Sequence, residues 1–362
     1  LGNGEKMKVL HFSNRYWPAL GGIEDVINNL CTELQKKKIV SDVITLNRAD
    51  KIKLKNQETK GKTKIFRIPY LDLKYYKISP VPYSIIKNYD IIHIHSLGFF
   101  SDIVLLTKFI HKKKIVISTN GGFFHTKNIS GIKKLYFYII QKPLLRNADK
   151  ILAISENDKK KFEQISNNVI LIEPGFNAPE PKGKKEKNTF LTVGRLSTNK
   201  NVEKIIDIFS KIKINYKLKI VGRDFDNLLP TLKKKIKENK LEKKIELITN
   251  ANDAMLTKLY SKSEYFISAS KYEGFGISAI ESMHYNCKTI LNAIPTYKGF
   301  VKNGDGMIVN FDSKIATNEL KKAITQKYNL KKAKKYADSF QWSEKINEYI
   351  TVYSNLSKNS QK

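Results

Sequence analysis

TFLTVGRLSTNKNVEKIIDIFSKI, residues 189–212, sets a short apolar run against an amphipathic helical pattern across a single turn. TFLTV has the β-branched character of a buried strand, and VEKIIDIFSKI (202–212) has helical spacing. The same rhythm continues downstream through LKIVG (218–222), IELI (245–248), YFISAS (265–270), KTILN (288–292) and GMIVN (306–310). It also fills the first half, with strand-like runs at VLHF (9–12), DVITL (42–46), IIHIH (91–95), KIVIST (114–119), ILAIS (151–155) and VILI (169–172). Between the first two, GGIEDVINNLCTELQKKK spaces Ile23, Val26, Ile27, Leu30 and Leu34 for a helix, with acids in its first turn and lysines in its last. Alternation of this kind predicts α/β architecture with doubly wound parallel sheets.

The rhythm breaks once. APEPKGKKEK (178–187) carries two prolines, a glycine and dense charge without apolar periodicity, and reads as an interdomain linker. The expected organisation is a Rossmann-like N-terminal domain over 7–178, a linker over 179–187 and a second Rossmann-like domain over 188–340. A helical tail over 341–358 follows, with Trp342, Ile346, Tyr349, Ile350 and Tyr353 on one stripe. The start LGNGEK is too short and too polar for a signal peptide, and Met7 reads as the natural first residue.

With 362 residues, 41% hydrophobic and 28% charged, the chain has a globular profile and length for two cores. Its formal charge of +32 points to acidic partners: nucleic acid, an anionic membrane surface or phosphorylated substrates. Only six of the 66 basic residues are arginines, so much of the excess reads as lysine on solvated faces. Cys31 and Cys287 stand 256 positions apart without metal-type spacing, which fits a reducing cytosol. No run approaches the length of a membrane span.

SKYEGFGISAIESM (270–283) is the most informative stretch for chemistry. A strand ending at Ser268 feeds a glycine-containing loop, and a helix begins near Ile277. The amides of Gly274, Phe275, Gly276 and Ile277 would sit at a helix N-terminus, where an anion binds. Glu273 and Glu281 flank that turn; each alone also fits a capping or surface acid. VGRLSTNKNVEKII (193–206) repeats the strand–turn–helix, and Gly194, Arg195 and Lys200 lie on its turn. A guanidinium fork with an ammonium suits a diphosphate leaving group, on which charge develops as the bond breaks. Gly222 ends the neighbouring strand. PALGGIE (18–24) brings Gly21 and Gly22 to a helix start but lacks the full dinucleotide spacing.

His93 and His95 share a strand face with metal-compatible spacing, but no third ligand recurs nearby, so they read as core or cleft-edge histidines. His125 follows KIVIST through NGGFF, at a switch-point position. Asp224 and Asp226 form a D-x-D pair that reads as a surface turn. GIKKLYFYIIQK (131–142), with Lys133 and Lys134, is either an interfacial helix on an anionic bilayer or ordinary core.

Taken together, Glu273 to Glu281 in YEGFGISAIES, GRLSTNK (194–200), the GGIE loop, FFHTK (123–127) and RNADKILAIS (146–155) resemble glycosyltransferase family 4 across essentially the whole chain. RYWPALGGIEDVINNL and TNGGFFHTKNISGIKKLYF look most like the α-mannosyltransferases of bacterial exopolysaccharide assembly. The resemblance implies the GT-B fold: two Rossmann-like domains facing a cleft, with a C-terminal helix crossing back to the first. It implies a retaining transfer of a hexose, mannose from GDP-mannose being the best match, to a lipid-linked glycan such as a polyprenyl-diphosphate-linked one or to a cell-surface glycan, by a peripheral enzyme on the inner face of the cytoplasmic membrane.

The resemblance also assigns roles. Arg195 and Lys200 would clamp the donor diphosphate, Glu281 would bind the ribose hydroxyls, and Glu273 with the amides of Gly274 to Ile277 would hold sugar and phosphate. His125 would lie beside the transferred sugar, and no metal or cofactor is expected. Two departures stand out: EPGFN (173–177) replaces the family's P-N-G-V-D, and RDFD follows IVG in place of a glycine-rich turn near the base. A UDP-sugar donor and a sugar-nucleotide epimerase are the alternatives on this fold. A glycosidase using Glu273 and Glu281 is opposed by the phosphate-type features. Nucleic-acid binding finds no recognition motif in the chain.

Overall fold

Two separate parallel sheets arise from these alternating elements in the computed structural model, which describes residues 6–19, 21–49, 52–73, 77–95, 97–120 and 135–358. The chain divides into unit 1, Leu1–Gly175 with Trp342–Lys362, and unit 2, Phe176–Gln341.

The sheet of unit 1 contains β1 (Lys8–Phe12), β2 (Val40–Leu46), β3 (Gln57–Lys60), β4 (Thr63–Ile68), β5 (Ile91–Ile94), β6 (Lys114–Ser118), β7 (Lys150–Ala153) and β8 (Val169–Leu171). Their spatial order is β8-β7-β6-β5-β1-β2-β4-β3, parallel except for the β3–β4 hairpin. The chain first winds outward from β1 through β2 and then resumes on the other side at β5, so β1/β5 is a topological switch point. Helices α1 (Gly22–Lys36), α2 (Phe99–Leu106), α3 (Lys108–His111), α4 (Lys142–Leu145) and α5 (Glu156–Glu163) belong to this unit. A π-helical turn, Phe137–Gln141, leads into α4. The hairpin β3–β4 is not among the strands read from sequence, because Lys64 and Arg67 interrupt the apolar run. Arg67 is nevertheless buried: it pairs with Glu58 and donates to the carbonyls of Trp17 at 2.6 Å and Lys55 at 3.2 Å.

In unit 2 the strands are β9 (Glu186–Val193), β10 (Lys217–Val221), β11 (Ile245–Ile248), β12 (Ser263–Ser268), β13 (Lys288–Asn292) and β14 (Met307–Val309). They pair in the order β11-β10-β9-β12-β13-β14, all parallel, with the switch point at β9/β12. The helices are α6 (Val202–Ser210), α7 (Leu229–Glu238), α8 (Asp253–Lys262), α9 (Ile277–His284), α10 (Pro295–Asn303), α11 (Ala316–Thr325) and α12 (Leu330–Asp338).

The stretch read as a linker is held against unit 2. Pro179 offers its carbonyl to His284 Nε2 at 3.0 Å, Glu180 pairs with Lys334 at 3.2 Å, and Lys185 donates to the Tyr260 carbonyl at 2.8 Å. β9 already begins at Glu186, so the passages between units fall at Gly175–Phe176 and Gln341–Trp342. At these passages Phe176 N donates to Phe340 O at 3.0 Å, and the Gln341 amide bonds both backbone groups of Ala178.

The last helix, α13 (Trp342–Lys358), completes the core of unit 1. Trp342, Ile346 and Tyr353 are fully buried with Val9, Leu30 and Leu34. Any side chain at Gly175 would meet the Trp342 ring at 2.7 Å, so glycine is required there by close approach. Trp342→Ala should destabilise unit 1 by about 3–5 kcal/mol, the range for truncating a fully buried large aromatic. Chemical denaturation followed by circular dichroism checks this; an unchanged midpoint for the first transition would remove α13 from the core.

Candidate functional site

Open parallel sheets present their binding crevice at the carboxyl edge, beside the switch point. In unit 2 that edge carries the loops leaving β9, β10 and β12, which contain Arg195, Lys200, Gly222 and Glu273.

The first two loops are built on one another. Gly194 N donates to Val221 O at 3.0 Å and Leu196 N to Arg223 O at 2.8 Å. A Cβ at Gly222 would lie 1.8 Å from the Gly194 carbonyl oxygen, so only glycine lets the backbones meet. The RDFD segment supplies the braces. Asp224 accepts from the amides of Leu228 (2.8 Å) and Leu229 (3.0 Å), while Asp226 accepts from the amide of Thr198 at 2.8 Å. Both carboxylates of the D-x-D pair are thus spent on backbone donors, as a surface turn requires. Phe225, between them, lies exposed under the Arg195 guanidinium, 4.8 Å from it. Such stacking orients the fork while leaving its donors free to bind.

The loop after β12 is fastened from both sides. Asn199 donates to the Tyr272 carbonyl at 2.8 Å and accepts from the Lys271 amide at 2.9 Å. From the opposite direction, Thr296 donates to the Glu273 carbonyl at 3.1 Å. The Glu273 carboxylate takes the Lys200 ammonium at 2.6 Å and the Tyr297 hydroxyl at 3.0 Å through the same oxygen. Tyr297 is fully buried and lies 2.8 Å from Ser268 Oγ, which fixes its hydroxyl. Gly276 caps α9 at φ 95°, a left-handed conformation that favours glycine, and α9 begins at Ile277. Phe275 packs its ring edge-on against Phe300 and beside Phe340, so it can offer a ligand only backbone.

Within α9, Glu281 accepts from Tyr260 OH at 3.0 Å. Desolvation of its carboxyl outweighs that hydrogen bond and lifts it from 4.5 to about 7. Carboxyl groups that can accept from hydroxyls and a cation-bearing turn share one sheet edge, a combination suited to a polyhydroxylated anion. Tyr297, Ser268, Asn199 and Tyr260 were not singled out in the sequence. The signal for Tyr297 was KTILN followed by a proline-led helix, a further strand–turn–helix next to the one that carried Glu273.

In unit 1, Gly21 and Gly22 precede and open α1. A side chain at Gly21 would strike the Glu24 carboxylate at 2.5 Å, whereas Gly22 has open space. His125, Lys133 and Lys134 lie outside the described residues. His93 and His95 do acquire a third histidine, contrary to the sequence reading, because the parallel β1–β5 register sets His11 opposite His93. The cluster is a hydrogen-bonded one. His11 Nδ1 lies 2.9 Å from His95 Nε2, closer than the about 3.3 Å between two nitrogens on one tetrahedral zinc. Ser41 bonds the other His11 nitrogen at 2.9 Å, and His93 is held by Tyr353 OH at 2.7 Å and Ser118 Oγ at 2.8 Å. Burial drives all three imidazoles towards the neutral form, His11 to about 3.

Two family models match the chain: Glycosyltransferase Family 4 over residues 20–178 and Glycosyl transferases group 1 over residues 176–340. The chain is 29% identical over 366 residues to the GDP-mannose:cellobiosyl-diphosphopolyprenol alpha-mannosyltransferase of Xanthomonas campestris, covering 96% of each. It is 25% identical to the protein of the same name from Komagataeibacter xylinus, covering 96% of this chain and 93% of that one. Among solved structures, sucrose-phosphate synthase from Thermosynechococcus elongatus matches with a TM-score of 0.74 at 16% identity, covering 97% of this chain and 99% of that one. A glycosyltransferase from Rickettsia africae matches with 0.71 at 20%, covering 98% and 100%. These last two likenesses are of fold.

Because the folded Glu281 carboxyl holds its proton more tightly than the unfolded chain, its contribution to stability is full below pH 4.5 and is lost as pH rises through about 7. Glu281→Gln cannot ionise and should give a flatter melting temperature between about pH 5 and pH 8 than the parent. Parallel melting curves would place the carboxyl in solvent.

Proposed function

The chain belongs to the family 4 glycosyltransferases, with the GT-B fold, and from that premise we propose that it moves mannose from GDP-mannose to a polyprenyl-diphosphate-linked glycan. The transfer retains anomeric configuration and takes place on the inner face of the cytoplasmic membrane. The donor and acceptor classes are supported by the activity for which relatives that align along 96% of the chain are named. One observation carries the residue assignments: a paired Lys200 and Glu273, a stacked Arg195 and a desolvated Glu281 all stand at the switch-point edge of unit 2.

Arg195 and Lys200 neutralise the donor diphosphate, and the amides from Gly274 to Ile277 hold its phosphate oxygens. Lys200 then shares its ammonium between the phosphate and Glu273, which leaves the Glu273 carboxylate, still oriented by Tyr297, to accept hydroxyls of the sugar. Glu281 accepts from the ribose hydroxyls. In the chemical step the C1–O bond breaks with its electron pair passing to the diphosphate. The acceptor hydroxyl attacks the same face and loses its proton to the departing phosphate oxygen. The two cations supply the charge that a divalent ion supplies in other transferases, so the reading includes no metal. His125 is read as lying beside the sugar.

Calorimetric titration with GDP, UDP and ADP without added metal should show selective binding of GDP. Selectivity for UDP would keep the transferase and discard the mannose donor, and binding of none would remove the donor site. Arg195→Ala and Glu273→Ala should each lower mannose transfer by about 100-fold or more; the melting temperature should stay near the parent value in Arg195→Ala and fall in Glu273→Ala, which leaves Lys200 without its carboxylate. Chelator should leave the rate unchanged. Near-parental turnover in either variant would strip that residue of its role.

A further inference from the structure

Glu281 has one carboxyl oxygen engaged and one left over. Oε2 accepts from Tyr260 OH at 3.0 Å, whereas Oε1 has no partner among the described residues and is not enclosed. Tyr260, near the end of α8, is held through both its ring and its main chain. The ring is buried, lies within 5° of parallel to Tyr285 with centroids 5.4 Å apart, and stacks on Phe266 at 6.1 Å. Its carbonyl accepts from Lys185 Nζ at 2.8 Å and from Cys287 Sγ at 3.3 Å. The hydroxyl is thus fixed between Glu281 Oε2 and the Ser278 carbonyl, the latter at 3.3 Å.

A phenol has one proton to give and lone pairs to receive another. With Glu281 ionised, Tyr260 donates to Oε2. With Glu281 protonated, the proton on Oε2 can point to the tyrosine oxygen while the tyrosine proton turns to Ser278. The same three groups satisfy both states, and in both Oε1 remains a bare acceptor. The groups whose charge acts on Glu281 are Asp253 and Tyr260 of α8 and Tyr285 just past α9. On the elements packed against α9, Asp338 and Lys334 of α12 pair with each other, and Lys288 of β13 pairs with Glu264. With those cations engaged elsewhere, the tyrosine hydroxyl is what favours the ionised carboxyl against burial.

We propose that Tyr260 is a positioning residue for the donor's ribose: its hydroxyl holds Glu281 Oε2, presents Oε1 to the ribose hydroxyls and thereby sets the preference for a ribonucleotide over a deoxyribonucleotide. The proposal rests on the ribose role given to Glu281 above. Without the tyrosine hydroxyl, a carboxyl proton has no fixed acceptor and can sit on Oε1, where it would meet the ribose with a donor in place of an acceptor. A site built to accept from a hydroxyl rejects the analogue that lacks it, and it does so only while its acceptor is held in place.

Calorimetric titration of the full chain with GDP and with 2′,3′-dideoxyguanosine diphosphate tests this. The parent should bind GDP about tenfold or more tightly than the dideoxy analogue. That preference should grow as pH rises through about 7, where Glu281 ionises; the two nucleotides carry the same diphosphate, so their own titration cancels in the ratio. Tyr260→Phe keeps the ring and its stack on Tyr285, and its circular dichroism spectrum reports folding. It should lose most of the preference and move the midpoint of the pH dependence upward, because the hydrogen bond that favours the carboxylate is gone. Tyr285→Phe removes a neighbouring hydroxyl that bonds Thr257 instead, and should keep the parental preference and midpoint. A folded Tyr260→Phe with the parental preference and midpoint would overturn the positioning role and leave the ribose role of Glu281 standing. Equal changes in Tyr285→Phe would overturn it too, since loss of any buried hydroxyl would then suffice. Equal parental binding of the two nucleotides would overturn the ribose role itself.

Discussion

Lys200 and Glu273 meet at 2.6 Å with side chains 20% and 11% exposed, and the loops after β9 and β12 are arranged around that contact. Removing either member would leave a partly desolvated charge alone, which costs more than the pair contributes. The surrounding hydrogen bonds make the contact possible. Asn199 ties the loop after β9 to the loop after β12, Thr296 and Tyr297 steady Glu273 from α10, and Gly222 admits the Gly194 backbone. On the proposed reading, the cation is thus held where the donor phosphate would need it, compensated by the carboxylate that would receive the sugar. Preorganisation of this kind lowers what must be reorganised as charge develops on a leaving group.

The central strands of both sheets were legible because parallel strands covered on both faces read as unbroken apolar runs. The hairpin β3–β4 was not, since a buried arginine and an edge position both contradict that pattern. Glu273, Lys200 and the α9 turn could be picked out because glycine and charge stand together at a strand end. Tyr297 and Tyr260 could not, because an aromatic that orients a carboxylate looks like any core aromatic until its hydroxyl is placed. His11 failed for a related reason: its relation to His93 is set by strand register, which has no mark in the local sequence. The linker was misplaced by composition, as lysines that fold onto unit 2 resemble lysines in solvent.

Charge is unevenly used. Most lysines pair singly with the few acids or lie on solvated faces, whereas Arg195, one of six arginines, stands stacked on an aromatic ring. A planar fork suits that position in a way an ammonium does not. The histidine cluster of unit 1 has the opposite character: three imidazoles kept neutral by burial, linked through Tyr353 to the final helix. The Tyr353–His93 hydrogen bond specifies one packing of that helix over others, while His95 Nδ1 is buried without a hydrogen-bond partner among the described residues.

The route of the chain through the two units sets an order of birth. Unit 2 is one contiguous segment, and all of its strands and helices have been synthesised by Gln341. Unit 1 begins first, yet its core lacks Trp342, Ile346 and Tyr353 until α13 emerges after the whole of unit 2. On the ribosome the later unit is therefore the first able to fold to completion, while the earlier one waits with the seat of α13 uncovered. At about 5–20 residues per second, unit 1 stays in that state while the whole of unit 2 is being made.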